Sequence, residues 1–408
     1  MVPCILSCNV GSSSIKVAWF DQGTTSERGM ARLDWLDPAG PSWVARLGDR
    51  AITWPVGAEP VAGRVNRALG ILAEGLADVG VAINGVGHRV VHGGPRFTHT
   101  VEVTEAVRVE LESLKDWAPL HNPPALEGIA ACERAFPTAR QFATFDTAFH
   151  ATLPDHARTY AVPWDWTEKH HLRRYGFHGL SHYWSSLAAR EAAPQAQWRK
   201  LVVLHLGAGC SATAVEGGKS VYTTMGMTPL EGFPMATRSG DLDPGLVFMA
   251  GRMLGKGLPE LEKALWKESG WQAVSGVSGD LRAVLQAEAQ GNERARLAVD
   301  LLVRHTRRTV AALAAELGGL GCLVFTGGIG ENSAEIRRRV VEGLDFLGLR
   351  LDGRANGAVL PGGEVPKPLV ISAPESSAVI LVVGAREDWV LARETACLMW
   401  KGDCHSGG

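Results

Sequence analysis

The chain has 408 residues and a mass of 43.6 kDa, too long for one ordinary core, so two substantial domains are expected at ~150 residues per domain. With 46% hydrophobic residues, 21% charged residues and a net charge of −2, it is neither a disordered chain nor a basic protein recruited to nucleic acid or anionic lipid. The N-terminus, Met1-Val2-Pro3-Cys4-Ile5-Leu6-Ser7-Cys8, lacks the basic and apolar regions of a secretion signal, and no apolar run approaches the ~18 residues of a membrane span.

In chain order, residues 2–8 read as a short buried strand and Asn9-Val10-Gly11-Ser12-Ser13-Ser14 as a tight turn. Ile15-Lys16-Val17-Ala18-Trp19-Phe20 resumes β character, completing a hairpin. Trp35, Trp43 and Trp54, set among Gly and Pro, predict further short strands across 21–62. Val65, Leu69, Leu72 and Leu76 repeat at helical spacing within 63–78, and a strand is expected near 85–91. Asn122-Pro123-Pro124 predicts a helix to about Phe136, with Asn122 as N-cap and the prolines tolerated in the first turn.

The second half shows the same coarse pattern as the opening, with no residue-level repeat. Residues 200–206 predict a strand, Gly207-Ala208-Gly209-Cys210-Ser211 a turn, and 212–215 a strand again. A long helix is expected over 294–317, presenting Leu297, Leu301, Leu302, Val310, Leu313 and Leu317 and stopping at Gly318-Gly319. Cys322-Leu323-Val324-Phe325 reads as a buried strand feeding a turn through Gly328 to Asn332, with a helix from about Ala334 and Asn332 and Glu335 as its capping-box pair. The polar tail from Lys401 is expected to fray. Alternating strands and helices give an α/β fold. The strand–turn–strand at 3–20 and again at 200–215 suggests two similar halves facing each other across a cleft. Seven cysteines, an odd number without metal-type spacing, predict free thiols in a reducing compartment, the cytoplasm.

The two small-residue turns are the first chemical clue. Glycine and serine let successive backbone N–H groups approach an anion. Asn9 adds an oxygen suited to a magnesium shell, and Lys16 a point positive charge. A single such turn usually does no more than join two strands. Gly218-Lys219-Ser220 ends like a Walker A loop, but the glycine required five residues earlier is Thr213. Gly207 to Ala212 fits the dinucleotide pattern formally, yet the β character of Thr213, Val215, Val221 and Tyr222 denies it the necessary helix. No protein-kinase signature set is present.

Dense clusters of functional residue types remain. They are Gly87-His88-Arg89-Val90-Val91-His92-Gly93-Gly94, Ala118-Pro119-Leu120-His121-Asn122-Pro123-Pro124, Phe145-Asp146-Thr147-Ala148-Phe149-His150, Tyr175-Gly176-Phe177-His178-Gly179-Leu180-Ser181-His182, and Thr228-Pro229-Leu230-Glu231-Gly232 continuing to Thr237-Arg238-Ser239-Gly240-Asp241-Leu242-Asp243-Pro244. With the N-terminal turn and Gly328-Ile329-Gly330-Glu331-Asn332, this ordered set closely resembles the acetate kinase family from about residue 5 to 395. The resemblance implies two related actin-like, ribonuclease H-like domains flanking a nucleotide cleft, usually as a homodimer, with one domain at 1–148 plus the returning 386–408 and the other at 149–385. It implies Mg²⁺, or Mn²⁺, as the metal, and ATP, ADP, acetate and acetyl phosphate as partners.

Carried over motif by motif, Arg89, Asp146, His178 and Arg238 would be catalytic, with Arg89 on the substrate carboxylate and His178 and Arg238 stabilising the transition state. Val91, Leu120, Phe177 and Pro229 would surround the substrate methyl. Ser12, Ser14, Lys16, His205, Leu206, Gly207, Ala208, Gly209, Asp280, Leu281, Arg282, Gly328, Ile329, Gly330, Glu331 and Asn332 would surround the nucleotide. Asn9 and Glu387 would serve the metal. Elementary chemistry agrees with these assignments. Two anions must meet, so cationic side chains and a metal offset their repulsion. A carboxylate nucleophile with a pKa of ~4–5 is already ionised at neutral pH and needs no general base. Asp146 is therefore expected to orient an arginine or the metal shell.

The chain also departs from the family. It has Ala208 where the second turn normally carries Asn, Ala236 where a glycine precedes the second arginine, and Arg386-Glu387-Asp388 where a neutral residue precedes paired Glu. These changes bear on nucleotide and metal binding more than on the reaction. Rival readings are a propionate or butyrate kinase, a nucleotide-binding relative with weak turnover, and a metal hydrolase using the His88/His92 or His178/His182 pairs. Neither pair has the Glu of the metalloprotease motif, and such histidines are more often hydrogen-bonded structure.

Overall fold

A computed structural model describes residues 2–11, 14–23, 25–35, 40–47, 50–57, 63–119, 121–359, 365 and 367–401. Ser12, Ser13, Leu120 and the tail beyond Lys401, for which expectations were set out above, lie outside the described residues. The chain divides into two compact units, Met1–Phe149 with Arg386–Gly408, and His150–Ala385.

The first unit is built on one sheet of β1 (Val2–Val10), β2 (Ser14–Asp21), β3 (Glu27–Asp34), β4 (Ser42–Leu47), β5 (Arg50–Pro55), β6 (Val81–Val90), β7 (Val101–Glu102) and β8 (Arg140–Phe145). Their order is β5-β4-β3-β2-β1-β6-β8-β7. Strands β1, β2 and β3 pair antiparallel, whereas β6 joins β1, and β8 joins β6, in parallel. Side chains alternate along a strand, so β1 feeds two cores. Cys4, Leu6, Cys8 and Val10 pack with Leu69, Leu72 and Leu76 of the Arg64–Asp78 helix and with Cys132 of the Asn122–Ala135 helix. On the opposite face Ile5, Ala18 and Phe20 meet Ala392 and Ala396 of the C-terminal helix, Glu387–Lys401.

That last helix sits close because β6 lacks two side chains. A Cβ at Gly87 would stand 2.8 Å from the Leu391 carbonyl oxygen, and one at Gly85 would lie 2.5 Å from the Met399 sulfur. Backbone can approach backbone only where that atom is missing. The glycines thereby bring the first turn of the helix, with Glu387, over the end of β6.

The second unit has a sheet of β9 (Lys200–Leu206), β10 (Cys210–Glu216), β11 (Lys219–Thr223), β12 (Cys322–Thr326), β13 (Leu369–Val370) and β14 (Val379–Val382), in the order β11-β10-β9-β12-β14-β13. Here too a run of three antiparallel strands (β11, β10, β9) continues into parallel β12 and β14. The order and directions match those of β3-β2-β1-β6-β8, so the duplication suspected from two turns exists as topology. Leu201, Val202, Val203 and Leu204 are all buried, as a parallel-sheet strand covered on both faces requires.

Several local expectations are corrected. Asn122 is not an N-cap; His121 holds that position. The Asn122 side chain instead accepts from His92 N and donates to the carbonyls of His92 and Leu114, because it is buried and must satisfy every polar atom. Residues Gly327–Asn332 form a short helix rather than a turn. The next helix, Ala334–Val341, is capped by Ser333, while Asn332 donates to Gly328 O and Glu335 pairs with Arg338 and Arg339. The long helix runs Glu293–Glu316. Its Leu302, Val310 and Leu313, and Leu317 just beyond, are buried, but Leu297 and Leu301 are 52% and 39% exposed. They share a stripe with Arg304 and Arg308, at helical spacing, that faces away from the core. Cys397 is disulfide-bonded, against the expectation of free thiols throughout, whereas Cys4, Cys8, Cys132, Cys210 and Cys322 are free.

Candidate active site

In the first unit the sequence-predicted residues gather on the face of the sheet that carries the C-terminal helix. Arg89 lies on β6 beyond Gly85 and Gly87, and therefore shares their face. Its guanidinium donates through Nε to Asp146 Oδ1 at 2.8 Å and through Nη2 to Oδ2 at 2.7 Å. Nη1 meets Glu387 Oε2 at 2.9 Å. Three of the five N–H donors are thus engaged, and two remain.

Asp146 follows β8, is 1% exposed, and is tethered by its own N–H to Val90 O. Burial pushes its carboxyl above the ordinary aspartate range, Glu387 adding to the push and Arg89 opposing it. Burial also works against charge on Arg89, yet the two carboxylates outweigh it and hold Arg89 above its ordinary value. Asn9 is paired with Lys16 across the β1–β2 ladder. Cys8 aligns with His88 in the β1–β6 pairing, so Asn9 and Arg89 fall at neighbouring positions on one face. Ser14 begins β2, its carbonyl accepting from Gly11 N. Val91 follows Arg89 in a loop whose His92 and Gly93 N–H groups are held by Asn122 and Thr147.

In the second unit the site is built at the ends of β9 and β12. Gly207-Ala208-Gly209 joins β9 to β10, and the chain continues as strand, as the β character of its sequence required. A Cβ at Gly209 would be 3.5 Å from the His178 ring and 3.6 Å from Arg238 Nη1, which places the turn beside both. A Cβ at Gly207 would be 3.9 Å from Gly328 N, so the two glycine segments adjoin. The two substituted positions also touch, since Ala236 N donates to Ala208 O.

Glu331 accepts from Gly327 N and Ala385 N, and ties the short Gly327–Asn332 helix to the end of this unit. Burial raises its carboxyl above the usual glutamate value. Asp280 caps the Leu281–Ala289 helix, and Arg282 folds back onto it at 2.7 Å with a side chain 91% exposed. Leu206, Leu281 and Phe177 are buried hydrophobics; Ile329 and Gly330 lie in the short helix.

Arg238 is the counterpart of Arg89 with the opposite surroundings. Nη1 donates to Pro229 O at 3.0 Å and the guanidinium lies over the Trp266 ring. No carboxylate pairs with it among the described residues, and burial lowers its affinity for a proton.

His178 occupies the left-handed backbone region at φ 57°, which costs a non-glycine residue on the order of 1 kcal/mol. Its ring stacks on His205 and its Nδ1 lies 2.9 Å from Ser211 Oγ. His182 Nε2 meets the same hydroxyl at 2.7 Å, and His205 Nδ1 meets Ser181 Oγ at 2.8 Å. Burial, with the neighbouring His150 and His205 rings, holds His182 far below its ordinary value. Burial likewise lowers His150 to about 4. The His178/His182 spacing thus reflects a shared serine, not a metal. Sequence reasoning missed Ser211 and the β6 glycines. The i,i+4 histidines pointed toward the serine, but its position depends on the β9–β10 pairing.

The family model for the acetokinase family matches residues 4–393. An acetate kinase of Desulfitobacterium hafniense is 40% identical over 408 residues, 98% of this chain and 100% of that one. The crystal structure of Porphyromonas gingivalis acetate kinase superposes with a TM-score of 0.86 at 35% identity, over 97% of this chain and 100% of the other. That of a propionate kinase from Francisella tularensis also gives 0.86, at 34% identity over 96% and 99%. Two α/β units on one strand order are the actin-like, sugar-kinase-like architecture that the sequence implied. The chain belongs to the acetokinase family.

Proposed function

We propose that the chain catalyses reversible phosphoryl transfer from ATP to acetate, giving acetyl phosphate and ADP. One observation carries the reading. Arg238 is a half-buried guanidinium with only neutral partners among the described residues, beside His178 and a glycine turn. A cation drawn partly out of water without a counter-charge is costly unless an anion arrives.

An oxygen of the acetate carboxylate attacks the γ-phosphorus as the bond to the bridging oxygen breaks, and ADP leaves with that electron pair. No proton moves at the nucleophile. Asp146 holds the Arg89 fork side-on, which leaves two N–H donors for a carboxylate and makes Asp146 a positioning group. Ser211 sets the tautomer of His178. His182 is neutral, and donation from its Nε2 leaves only an acceptor, Nδ1, unpartnered. The reverse arrangement would bury an orphan N–H. The Ser211 proton then goes to His178 Nδ1, so His178 offers Nε2–H to a phosphoryl oxygen even when uncharged. Gly209 and Gly328 supply backbone donors for the nucleotide, while Val91 offers an apolar side chain in the first unit and Phe177 and Pro229 do so in the second.

A divalent metal fits the hard oxygen donors Asn9 and Glu387, on the sheet face that carries Arg89. We assign Mg²⁺, or Mn²⁺, to them; when bound it neutralises phosphate charge. Ala208 offers no side-chain amide toward phosphate, which weakens nucleotide binding without altering the reaction. The Pro244–Leu254 helix buries none of its residues and exposes Leu246, Phe248, Met249 and Met253. A patch of this kind supports a homodimer, tested by sedimentation. No described helix is long and apolar enough to cross a membrane; the free thiols of Cys4, Cys8, Cys132, Cys210 and Cys322 support our assignment to the cytoplasm.

The test is a hydroxamate trap for acyl phosphate with acetate, propionate and butyrate against ATP, GTP and pyrophosphate. No acyl phosphate at millimolar ATP and acetate with magnesium would refute the assignment. Propionate is the second reading, favoured by the likeness to the propionate kinase structure, because one methylene is worth only ~1–3 kcal/mol in such a pocket.

A further inference from the structure

On the opposite face of the first sheet, away from Arg89, three elements bring soft ligands together. Cys8 is on β1, His88 on β6 and Cys132 on the Asn122–Ala135 helix. One ligand atom from each lies within 4.8 Å of the others, and all three residues are buried. The two sulfurs are 3.7 Å apart, the Cys132 thiol donating to Cys8. Two sulfurs each ~2.3 Å from one zinc ion, at the tetrahedral angle, are separated by about that distance.

The histidine is oriented for the purpose. Gln141 Nε2 donates to Ala139 O at 2.9 Å, which turns its Oε1 toward His88 Nε2, 2.8 Å away. His88 must therefore donate from Nε2, and Nδ1 keeps a free lone pair for the cysteine side. A ligating imidazole whose other nitrogen is held by a carbonyl oxygen is the usual support of a metal site. Two thiolates and a neutral imidazole also balance a dication, so that the loaded site is neutral within an apolar core.

We propose that Cys8, His88 and Cys132 form a binding site for a thiophilic divalent cation, Zn²⁺ for choice, distinct from the oxygen-donor site that serves phosphoryl transfer. The ion ties β1, β6 and the Asn122–Ala135 helix together directly behind Asn9 and Arg89. Its role is structural. It fixes the alignment of the two strands that carry those residues.

The test uses full-length, tag-free protein expressed with added zinc, and separately with added cobalt. The expected result is one zinc per chain by elemental analysis, a thiolate-to-cobalt charge-transfer band in the cobalt form, and a higher melting temperature for the loaded protein. Cys8→Ala with Cys132→Ala removes metal and band together. Gln141→Leu keeps all three ligands and weakens zinc affinity about 10–100-fold. Wild-type protein lacking both zinc and the cobalt band overturns the proposal. So does zinc retained in full by the double variant, or peptide mapping that finds Cys8 joined to Cys132 as a disulfide.

Discussion

Arg89, near the end of β6, and Arg238, in the loop that follows β11, are both half-hidden guanidiniums, yet their surroundings are opposite. Arg89 is gripped by two carboxylates; Arg238 rests on a carbonyl, a thioether and an indole. The first arrangement fixes direction and leaves a net negative cluster, suited to a ligand that is weakly charged or that brings metal with it. The second leaves net positive charge, suited to a phosphate. Fold stability is served by the first and sacrificed by the second.

Mutating each arginine breaks this contrast most sharply. Arg238→Ala is expected to lower kcat by about 10²–10³-fold, the scale of losing one transition-state donor, without lowering the melting temperature. Arg89→Ala should also abolish useful turnover, but it strands Asp146 in a buried setting and should cost about 3 kcal/mol of stability. Equal melting temperatures for the two variants would erase the distinction. Asp146→Asn retaining near-normal rate and magnesium dependence would remove the positioning role.

Acid should expose the second unit next. His150 has a folded pKa of about 4 against an ordinary 6.5, so the unfolded chain binds the proton first. Its contribution is complete above pH 6.5 and is lost as pH falls toward 4, by up to about 3 kcal/mol. Urea melts at pH 7.5 and 5 should show the fall, and His150→Asn should reduce it, buried His182 accounting for the part that remains. An unchanged slope would mean that the ring is hydrated.

The smallest effect concerns Ser211. Ser211→Ala frees His178 to take either tautomer, and kcat should fall about tenfold while KM for acetate holds and the acid limb of the rate profile moves. Ser211→Thr should restore most of the rate. A change in KM alone would assign Ser211 to substrate binding.

Much of the fold was legible because its strands are continuous apolar runs and its turns are glycine-rich. The Arg64–Asp78 helix and the β9–β10 and β12 strands follow directly from spacing. Leu297 and Leu301 were misplaced because a 24-residue helix rotates leucines off the core as readily as onto it. Asn122 was misread because capping preference is local, whereas its partners His92 and Leu114 come from elsewhere in the sequence. Arg89, Asp146, His178 and Arg238 were visible only as an ordered set. Glu387 facing Arg89, and Ser211 shared between two histidines, needed pairings that no single segment encodes.

The packing of the Glu387–Lys401 helix onto Gly85 and Gly87 has a consequence for biogenesis. During translation the opening sheet emerges with Ile5, Ala18 and Phe20 bare and with Arg89 short of one carboxylate. The whole of His150–Ala385 must be made before the cover arrives, a delay on the order of tens of seconds at ordinary elongation rates. The nascent first unit is thus the stage most in need of a chaperone. Gly87→Ala, which obstructs the late docking step, should lower the yield of soluble protein more than it alters the rate of the molecules that fold.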